Sequence, residues 1–287
     1  MEEVYSSLGK LMDSGYKMDT DQLQVLAYNL VLAVSVLHAQ GVVHRDLKPA
    51  NVLFHQNCNV TLCDFGFSRP MDNKSSDMKV ARPLTAKVFT KQYRPPEVIL
   101  RAQHYDTKAD IWSLGCILFE MFMNQHTQGK VVKPLFSLAN VQKDHEDVTQ
   151  LGNMIKLFGT EDKAYKFAHV SKLYQESFDT LREKKLKTET NMSLKLKDYM
   201  KGCTPQQISL VSDCLKLLPQ ERPTAIELLS HPIFTGFTCD LNHKFFERIE
   251  VRTDKRQVND DYTVLQLQSY LHKLALKQIV RSMKTKK

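Results

Sequence analysis

The sequence predicts an α+β fold in which helices predominate, and three observations support this prediction. Two short strand-like pieces at residues 52–54 and 60–63 flank a polar turn, as expected for a hairpin. A long stretch at 21–40 has apolar residues at helical spacing, and most of the later periodic stretches are also helical. The 287 residues are 42% hydrophobic and 25% charged, which is typical of a globular domain with a sizeable core.

The first predicted helix covers residues 21–40, because apolar side chains recur there every three or four positions. Asp19 or Thr20 can cap its amino terminus, and Gly41 can end it in a left-handed turn. Residues 66–88 lose this periodicity and are predicted to form a loop. Further helices are predicted at 109–123, 148–158, 205–218, 225–229 and 262–283, the first of these strongly apolar and central.

Charge and cysteine content exclude several classes of protein. The net charge is +8, and residues 241–287 contribute much of it with 11 Lys and Arg against 5 Asp and Glu. The six cysteines form no C-x-x-C pair, so neither a zinc site nor a disulfide framework is expected, and cytoplasm or nucleus is the expected location. No uninterrupted apolar run reaches the length of a membrane span, and the amino terminus does not resemble a secretory signal.

The residues that carry chemistry are clustered between positions 44 and 66. Phosphoryl transfer requires positioned reactants and neutralised phosphate charge more than covalent help. A carboxylate at Asp46 can accept the proton of a substrate hydroxyl, and Lys48 adds a nearby cation. Asn51 and Asp64 supply the hard oxygen ligands that Mg²⁺ prefers. These residues stand in two motifs with the order and spacing of a known signature, His44-Arg45-Asp46-Leu47-Lys48-Pro49-Ala50-Asn51 and Asp64-Phe65-Gly66.

These motifs resemble those of eukaryotic protein kinases, and Lys48-Pro49 is similar to the serine/threonine class. Later segments resemble the CMGC group, which includes the mitogen-activated protein kinases. They are Tyr93-Arg94-Pro95-Pro96-Glu97, Asp110-Ile111-Trp112-Ser113-Leu114-Gly115-Cys116-Ile117, Pro134-Leu135-Phe136, Gln150-Leu151, Phe158-Gly159-Thr160, Arg222-Pro223 and His231-Pro232-Ile233-Phe234. The resemblance implies a kinase hinge and carboxy-terminal lobe over residues 1–236, followed by an extension at 237–287 with a basic amphipathic helix.

The resemblance implies roles for further residues. Leu53 matches the floor of the adenine pocket, so ATP contacts are expected from Lys48, Asn51, Leu53 and Asp64. Thr90 is expected to bond to Asp46 and Lys48, and Arg94 matches the arginine that favours proline after the phosphorylated residue. Glu97 and Arg222 match a buried ion pair, and Asp110 matches a residue that braces the backbone of the catalytic loop.

The loop before Thr90 resembles an activation loop of mitogen-activated kinases. Thr85 aligns with the phosphorylated threonine, but Lys87 stands where the family has tyrosine. If an upstream kinase phosphorylates Thr85, Arg45 and Arg69 are expected to pair with the phosphate and order the loop. An unmodified, exposed threonine remains an alternative. Cys63, next to Asp64, can be a reactive thiol or a small buried hydrophobe.

The predicted fold lacks the β-rich small lobe, because only 43 residues precede His44 and they are assigned to the hinge and two helices. We therefore expect either an internal methionine taken as the start or a fragment. The predicted activity is Mg²⁺- and ATP-dependent phosphorylation of protein substrates at Ser-Pro or Thr-Pro sites. The alternative is a catalytically inactive kinase-fold scaffold or binding module. Neither nucleic-acid binding nor a membrane span is expected.

Overall fold

The structure is a computed structural model that describes residues 6–55, 58–70, 90–102, 106–126, 131–158, 166–168, 170–188 and 196–235. The predictions for Thr85, for Lys87 and for the extension at 237–287 lie outside these residues. The helices are α1 (Leu8–Asp13), α2 (Thr20–Ala39), α3 (Pro96–Ile99), α4 (Lys108–Asn124), α5 (Glu146–Phe158), α6 (Lys172–Thr188), α7 (Leu196–Tyr199), α8 (Pro205–Cys214) and α9 (Ala225–Leu228). The strands are β1 (Ser6–Ser7), β2 (Val42–Val43), β3 (Val52–Phe54), β4 (Val60–Leu62) and β5 (Arg69–Pro70). This confirms an α+β fold with a helical majority.

Two small antiparallel sheets lie around the catalytic-loop motif and the Asp64-Phe65-Gly66 motif. One has the order β1-β3-β4, with Val52 opposite Leu62 in the hairpin that the sequence predicted. The other joins β2 to β5, with Val43 opposite Arg69. The strand β5 was not predicted, since two residues show no periodicity within a stretch interpreted as a loop. It fixes the chain after Asp64-Phe65-Gly66 against the start of the catalytic loop.

Helix α2 forms the centre of the core. The side chain of Asp19 accepts a hydrogen bond from Gln22 N at 2.8 Å, which caps the helix, and Gly41 follows the helix with φ 71°. By length and composition α2 could cross a membrane, contrary to the expectation from the sequence, but 67% of its apolar window is buried within the protein. We therefore interpret α2 as a core helix, consistent with its six fully buried leucines and valines.

Helix α4 packs closely against α8. A side chain at Gly115 would place its Cβ 2.6 Å from the Cβ of Cys214, so only glycine permits this approach. Trp112 on the same helix is fully buried, stacks on Phe136 with ring centroids 5.5 Å apart, and lies under the guanidinium of Arg222. Helix α4 therefore anchors the core beneath the catalytic loop.

A buried ion pair joins distant parts of the chain, as the resemblance implied. Arg222 donates from both terminal nitrogens to the Glu97 carboxylate at 2.7 and 2.8 Å. It also donates to the backbone carbonyls of Lys108, Lys216 and Leu217, so its five donors are well used. The pair holds α3 to the segment that follows α8.

Some predicted helix boundaries are wrong. The helix predicted at 205–218 ends at Cys214, because Leu215 leaves the helical region and Leu218, which precedes Pro219, is extended. Helix α5 starts at Glu146, two residues earlier than predicted. Helix α6 was not predicted, since its sequence KLYQESFDTLREKKLKT is strongly charged and has few apolar residues.

Candidate active site

The catalytic loop is fixed by one buried carboxylate on α4. Asp110 accepts hydrogen bonds from the backbone N–H groups of His44 at 2.7 Å and Arg45 at 2.9 Å, and lies 2.9 Å from His38 Nε2. Arg45 has φ 71°, a left-handed conformation that is uncommon for a non-glycine residue and needs such support. Burial alone would raise the pKa of Asp110, but His38, His44 and the Arg45 N–H together lower it below its usual value.

His44 connects the catalytic loop to the strand that precedes Asp64. Its Nε2 is 3.1 Å from the carbonyl oxygen of Cys63, and its Nδ1 accepts from the backbone N–H of Asp46. These two partners require the neutral ring with its proton on Nε2. Burial lowers the pKa of His44 despite the nearby Asp110 carboxylate, and this favours the same neutral form.

Asp46 is held by four donors from three residues. Its Oδ1 accepts from Thr90 Oγ1 at 2.6 Å and from Thr90 N at 3.1 Å. Its Oδ2 accepts from Lys48 Nζ at 2.6 Å and from Asn51 Nδ2 at 3.2 Å. The residue is only 3% exposed, so these bonds replace water around the carboxylate. The structure thus brings together Asp46, Lys48, Asn51 and Thr90, as the sequence predicted.

Asn51 and Asp64 have the chemistry of a magnesium site. Asn51 Nδ2 donates to the backbone carbonyl of Asp46 at 2.8 Å, which turns the amide oxygen to the opposite side, where it can bind a cation. Asp64 is exposed and has a φ angle of 64°. The backbone N–H of the preceding residue, Cys63, donates to the carbonyl oxygen of Asn51 at 3.1 Å, which keeps the two candidate ligands close together. One amide and one carboxylate fit Mg²⁺, which keeps several waters or phosphate oxygens as its other ligands.

Two residues border this site on the hairpin side. Leu53 is half-buried in β3, opposite Thr61 of β4. Cys63 is half-buried, and its Sγ lies 3.4 Å from the carbonyl oxygen of Asn51. Burial raises the pKa of the Cys63 thiol, and Asp64 adds to this effect, so the thiol is less readily ionised than a free cysteine. This favours the interpretation of Cys63 as a small packed side chain over that of a reactive nucleophile.

Residues Thr90–Arg94 lead away from Asp46. We call them the substrate-facing turn, because the resemblance implies substrate binding by Thr90 and Arg94. A single 3₁₀ turn over Lys91–Tyr93 separates Thr90 from Arg94. Arg94 is 4% exposed and donates to Asp147 Oδ1 at 3.0 Å. Burial lowers the pKa of Arg94, while Asp147 and Glu146 oppose this shift.

Arg45 and Arg69, which were predicted to bind a phosphate on Thr85, lie near the start of the catalytic loop. Arg45 is 3% exposed and directly precedes Asp46, whereas Arg69 is exposed in β5 opposite Val43. The structure therefore positions both arginines close to the strand pair β2–β5. Thr85 lies outside the described residues, so its relation to them stays a prediction.

Sequence reasoning assigned no role to the buried side chains that hold the substrate-facing turn against the core. Ser113 Oγ donates to Tyr93 O at 2.8 Å, Tyr93 OH donates to Glu120 at 3.2 Å, and Gln150 Nε2 donates to Lys91 O at 2.6 Å. All of them are buried. The available signal was polar residues inside apolar helical stretches, since a buried polar group needs a hydrogen-bond partner.

The protein kinase domain family matches residues 1–234. Mitogen-activated protein kinase 12 of Danio rerio is 33% identical over 232 residues, which cover 81% of this chain and 55% of that protein. Mitogen-activated protein kinase HOG1 of Colletotrichum orbiculare is 37% identical over 240 residues, which cover 80% and 58% respectively. The chain thus spans about half the length of the curated relatives it matches.

A solved structure shows the same fold. The yeast RNA Pol II CTD kinase CTDK-1 complex contains a chain that superposes with a TM-score of 0.62 and 24% sequence identity, covering 81% of this chain and 69% of that one. At this identity the likeness concerns the fold alone. The family match and the relatives carry the assignment: the chain belongs to the protein kinase family and is similar to the mitogen-activated protein kinases.

Proposed function

We propose that this chain supplies the catalytic lobe of a mitogen-activated-kinase-like enzyme that transfers the γ-phosphate of ATP to serine or threonine side chains of proteins. The observation that carries the proposal is the buried Asp46 carboxylate, fixed by Thr90 and Lys48 at 2.6 Å each. A carboxylate held so firmly at the start of a substrate-facing segment is arranged as a general base.

The site residues divide the reaction between them. Asp46 accepts the proton of the substrate hydroxyl. At the same time the oxygen of that hydroxyl bonds to the γ-phosphorus, and the bond between this phosphorus and the leaving ADP breaks. The ammonium group of Lys48 has three N–H donors, and two of them bond to Asp46 and Thr90. The third N–H is therefore left to donate to a phosphate oxygen. Asn51 and Asp64 would hold Mg²⁺, which would supply positive charge to neutralise the phosphates.

Two residues define what binds on either side of these groups. We assign Leu53, which lies in β3 beside the motif residues, to the floor of the adenine site. We assign Arg94 to the recognition of substrates with proline after the phosphorylated residue, since it is the buried cation at the far end of the substrate-facing turn. Preferred substrates would then contain Ser-Pro or Thr-Pro.

The small lobe is part of the same proposal. A kinase also requires a Gly-rich loop over the phosphates, a strand lysine and a helix glutamate. The sequence before His44 contains no G-x-G-x-x-G segment, so we propose that a small lobe not contained in these 287 residues completes the nucleotide site. One lobe alone would provide only part of the burial and phosphate contacts, and transfer by this chain alone should be slow.

Regulation through Thr85 is proposed from the resemblance of its segment to an activation loop and from the positions of two arginines. A phosphate on Thr85 would introduce about 1.5 to 2 negative charges, which Arg45 and Arg69 could pair. An activating kinase that phosphorylates Thr85 would then order the loop next to Asp46. Replacement of Thr85 by alanine should abolish activation, and replacement of Arg69 by glutamine should weaken it.

Transfer assays would test the proposed function. The chain is assayed alone and with a mitogen-activated kinase small lobe fused before Met1, using Mg²⁺-ATP and matched Ser-Pro and Ser-Ala peptides. We expect transfer to the Ser-Pro peptide by the fused protein, and its loss in Asp64→Asn. A folded fusion without transfer would instead support the scaffold alternative, and equal transfer to both peptides would contradict the role of Arg94.

A further inference from the structure

We propose that Gln150 on helix α5 is a positioning residue that fixes the substrate-facing turn, Thr90–Arg94, and thereby controls the binding of protein substrates. Gln150 is fully buried and lies 56 residues beyond Arg94 along the chain. Its effect on substrates rests on the proposed kinase function, whereas its effect on the turn does not.

The orientation of the Gln150 amide indicates that it holds the backbone of the turn. Its Nε2 donates to the carbonyl oxygen of Lys91 at 2.6 Å and approaches that of Arg94 at 3.4 Å. The reversed amide would point its oxygen at two carbonyl oxygens, so this orientation is the only favourable one. The two acceptors stand at the ends of the 3₁₀ turn Lys91–Tyr93, so one side chain spans the whole turn.

Two ion pairs from the first turn of α5 act on the same residues. Asp147 binds the Arg94 guanidinium at 3.0 Å, and Glu146 pairs with the ammonium of Lys91. Glu146 is only 15% exposed, so that pair is partly shielded from water. Helix α5 therefore contacts Lys91 and Arg94 through both their backbone and their side chains.

The position of the turn determines where two site residues lie. Thr90, at its start, bonds to Asp46 through both its N–H and its hydroxyl. Arg94, at its end, is the residue that we assign to substrate recognition. Asn51, which we assign to the metal, bonds instead to the backbone carbonyl and the carboxylate of Asp46. Loss of Gln150 should therefore affect the protein substrate and spare the nucleotide.

Removal of the amide should loosen the turn because buried carbonyls would lose their donor. Gln150→Met keeps the length and flexibility of the side chain but offers no N–H. The bonds from Tyr93 N to Thr90 O and from Arg94 N to Lys91 O would then open more often. We expect amide hydrogen exchange of Tyr93 and Arg94 to be about tenfold faster, the factor that the loss of one ordinary hydrogen bond produces.

The matched control is Gln125→Met. Gln125 also donates to a backbone carbonyl, that of Met18 at 3.3 Å, but lies at the end of α4 away from the turn. Hydrogen exchange is measured by mass spectrometry on the full chain, with thermal unfolding to verify that each variant is folded. Peptide KM and ATP KM are measured on the fused protein described above.

The proposal predicts faster exchange at Thr90–Arg94 in Gln150→Met alone, with a peptide KM raised about tenfold and an unchanged ATP KM. Unchanged exchange in that segment would overturn it, as would equal loss of protection throughout the protein. An increase in both KM values would also overturn it, because the residue would then be merely structural. If the unmodified fusion transfers no phosphate, the proposed function fails, while the exchange measurement still decides whether Gln150 fixes the turn. Should Gln150→Met fail to fold, Asp147→Ala tests the same helix contact from an exposed position and must give the same segment-specific change.

Discussion

The carboxylate of Asp110 lies 2.9 Å from the backbone nitrogen of Arg45 and holds that residue in a left-handed conformation. The next residue is Asp46, whose direction therefore depends on this bond. Burial of Asp110 is complete, so its hydrogen bonds are made without competition from water. A carboxylate on the core helix α4 thus determines the direction of Asp46, the residue that we propose as the catalytic base.

Asp110→Asn should damage both stability and activity. The asparagine side chain has one acceptor oxygen, and its NH₂ group would face a backbone N–H that Asp110 now bonds. We expect the free energy of unfolding to fall by about 3 kcal/mol, since a buried donor loses its charged partner. Urea denaturation measures this change. The exposed Asp144→Asn is the control, and equal stability of the two variants would contradict the bracing role.

Thr90 should contribute through its hydroxyl. Thr90→Val keeps the shape of the side chain but removes the bonds to Asp46 at 2.6 Å and Lys48 at 3.2 Å. We expect kcat of the fused protein to fall about tenfold or more, because misplacement of a base lowers the rate strongly. Thr90→Ser retains the hydroxyl and should preserve most of the activity. A Thr90→Val enzyme with unchanged kcat would show that the hydroxyl does not position Asp46.

The Glu97–Arg222 pair should be costly to break. Neither side chain is more than 3% exposed, so removal of one partner leaves a buried charge without compensation. Glu97→Ala should destabilise the protein by about 3 to 5 kcal/mol. Thermal unfolding compares this variant with Glu176→Ala, which removes an exposed partner of Lys172 and should cost much less. Similar losses in both variants would contradict this account.

Glu120, which accepts a hydrogen bond from Tyr93 in the substrate-facing turn, should make the stability of the protein depend on pH. Burial raises the pKa of Glu120 to about 8, the Tyr93 hydroxyl partly opposes this, and Asp13 adds to it. Tyr93 itself has its pKa raised, chiefly by burial and then by Glu120, so it stays a donor. A carboxyl whose pKa is higher in the folded state than in the unfolded state contributes stability below its unfolded pKa and loses it as pH rises.

The expected window lies between about pH 4.5 and pH 8. Across it, the free energy of unfolding should fall with pH in the natural chain by up to about 1.4 kcal/mol per unit relative to Glu120→Gln, which stays neutral. Urea denaturation at several pH values measures the difference between the two proteins. The exposed Glu221→Gln should leave the slope of the natural chain unchanged. Parallel curves for the natural chain and Glu120→Gln would refute an elevated pKa.

Motifs and long apolar periodicity made much of the fold predictable. The helices α2 and α4 were located to within a residue or two, because their apolar stripes continue over many turns. The partners of Asp46, namely Lys48 and Thr90, followed from the resemblance to protein kinases. Asp110, 64 residues after Asp46 in the sequence, was likewise assigned to the catalytic loop by resemblance and not from its own surroundings.

Other parts could not be predicted from local sequence. Helix α6 is too charged to show an apolar stripe, and β5 is a strand only because β2 lies beside it. Positive φ angles at Arg45 and Asp64 depend on tertiary contacts, since neither is a glycine. Gln150 was quoted only as part of a family-like segment, without a role, and Glu120 stands in no quoted motif. The roles of both appear only when the backbone carbonyls and the hydroxyl that they contact are known.

The most direct test of the central claim, that Asp46 is the base of a phosphoryl-transfer site, is a single-turnover measurement with Asp46→Asn. The fused protein is saturated with Mg²⁺-ATP and mixed with a Ser-Pro peptide, and phosphopeptide formation is followed in time. The account predicts that the rate falls by at least about a hundredfold while the ATP dissociation constant stays within twofold. A rate within a few-fold of that of the unchanged fusion, at equal ATP affinity, would contradict it.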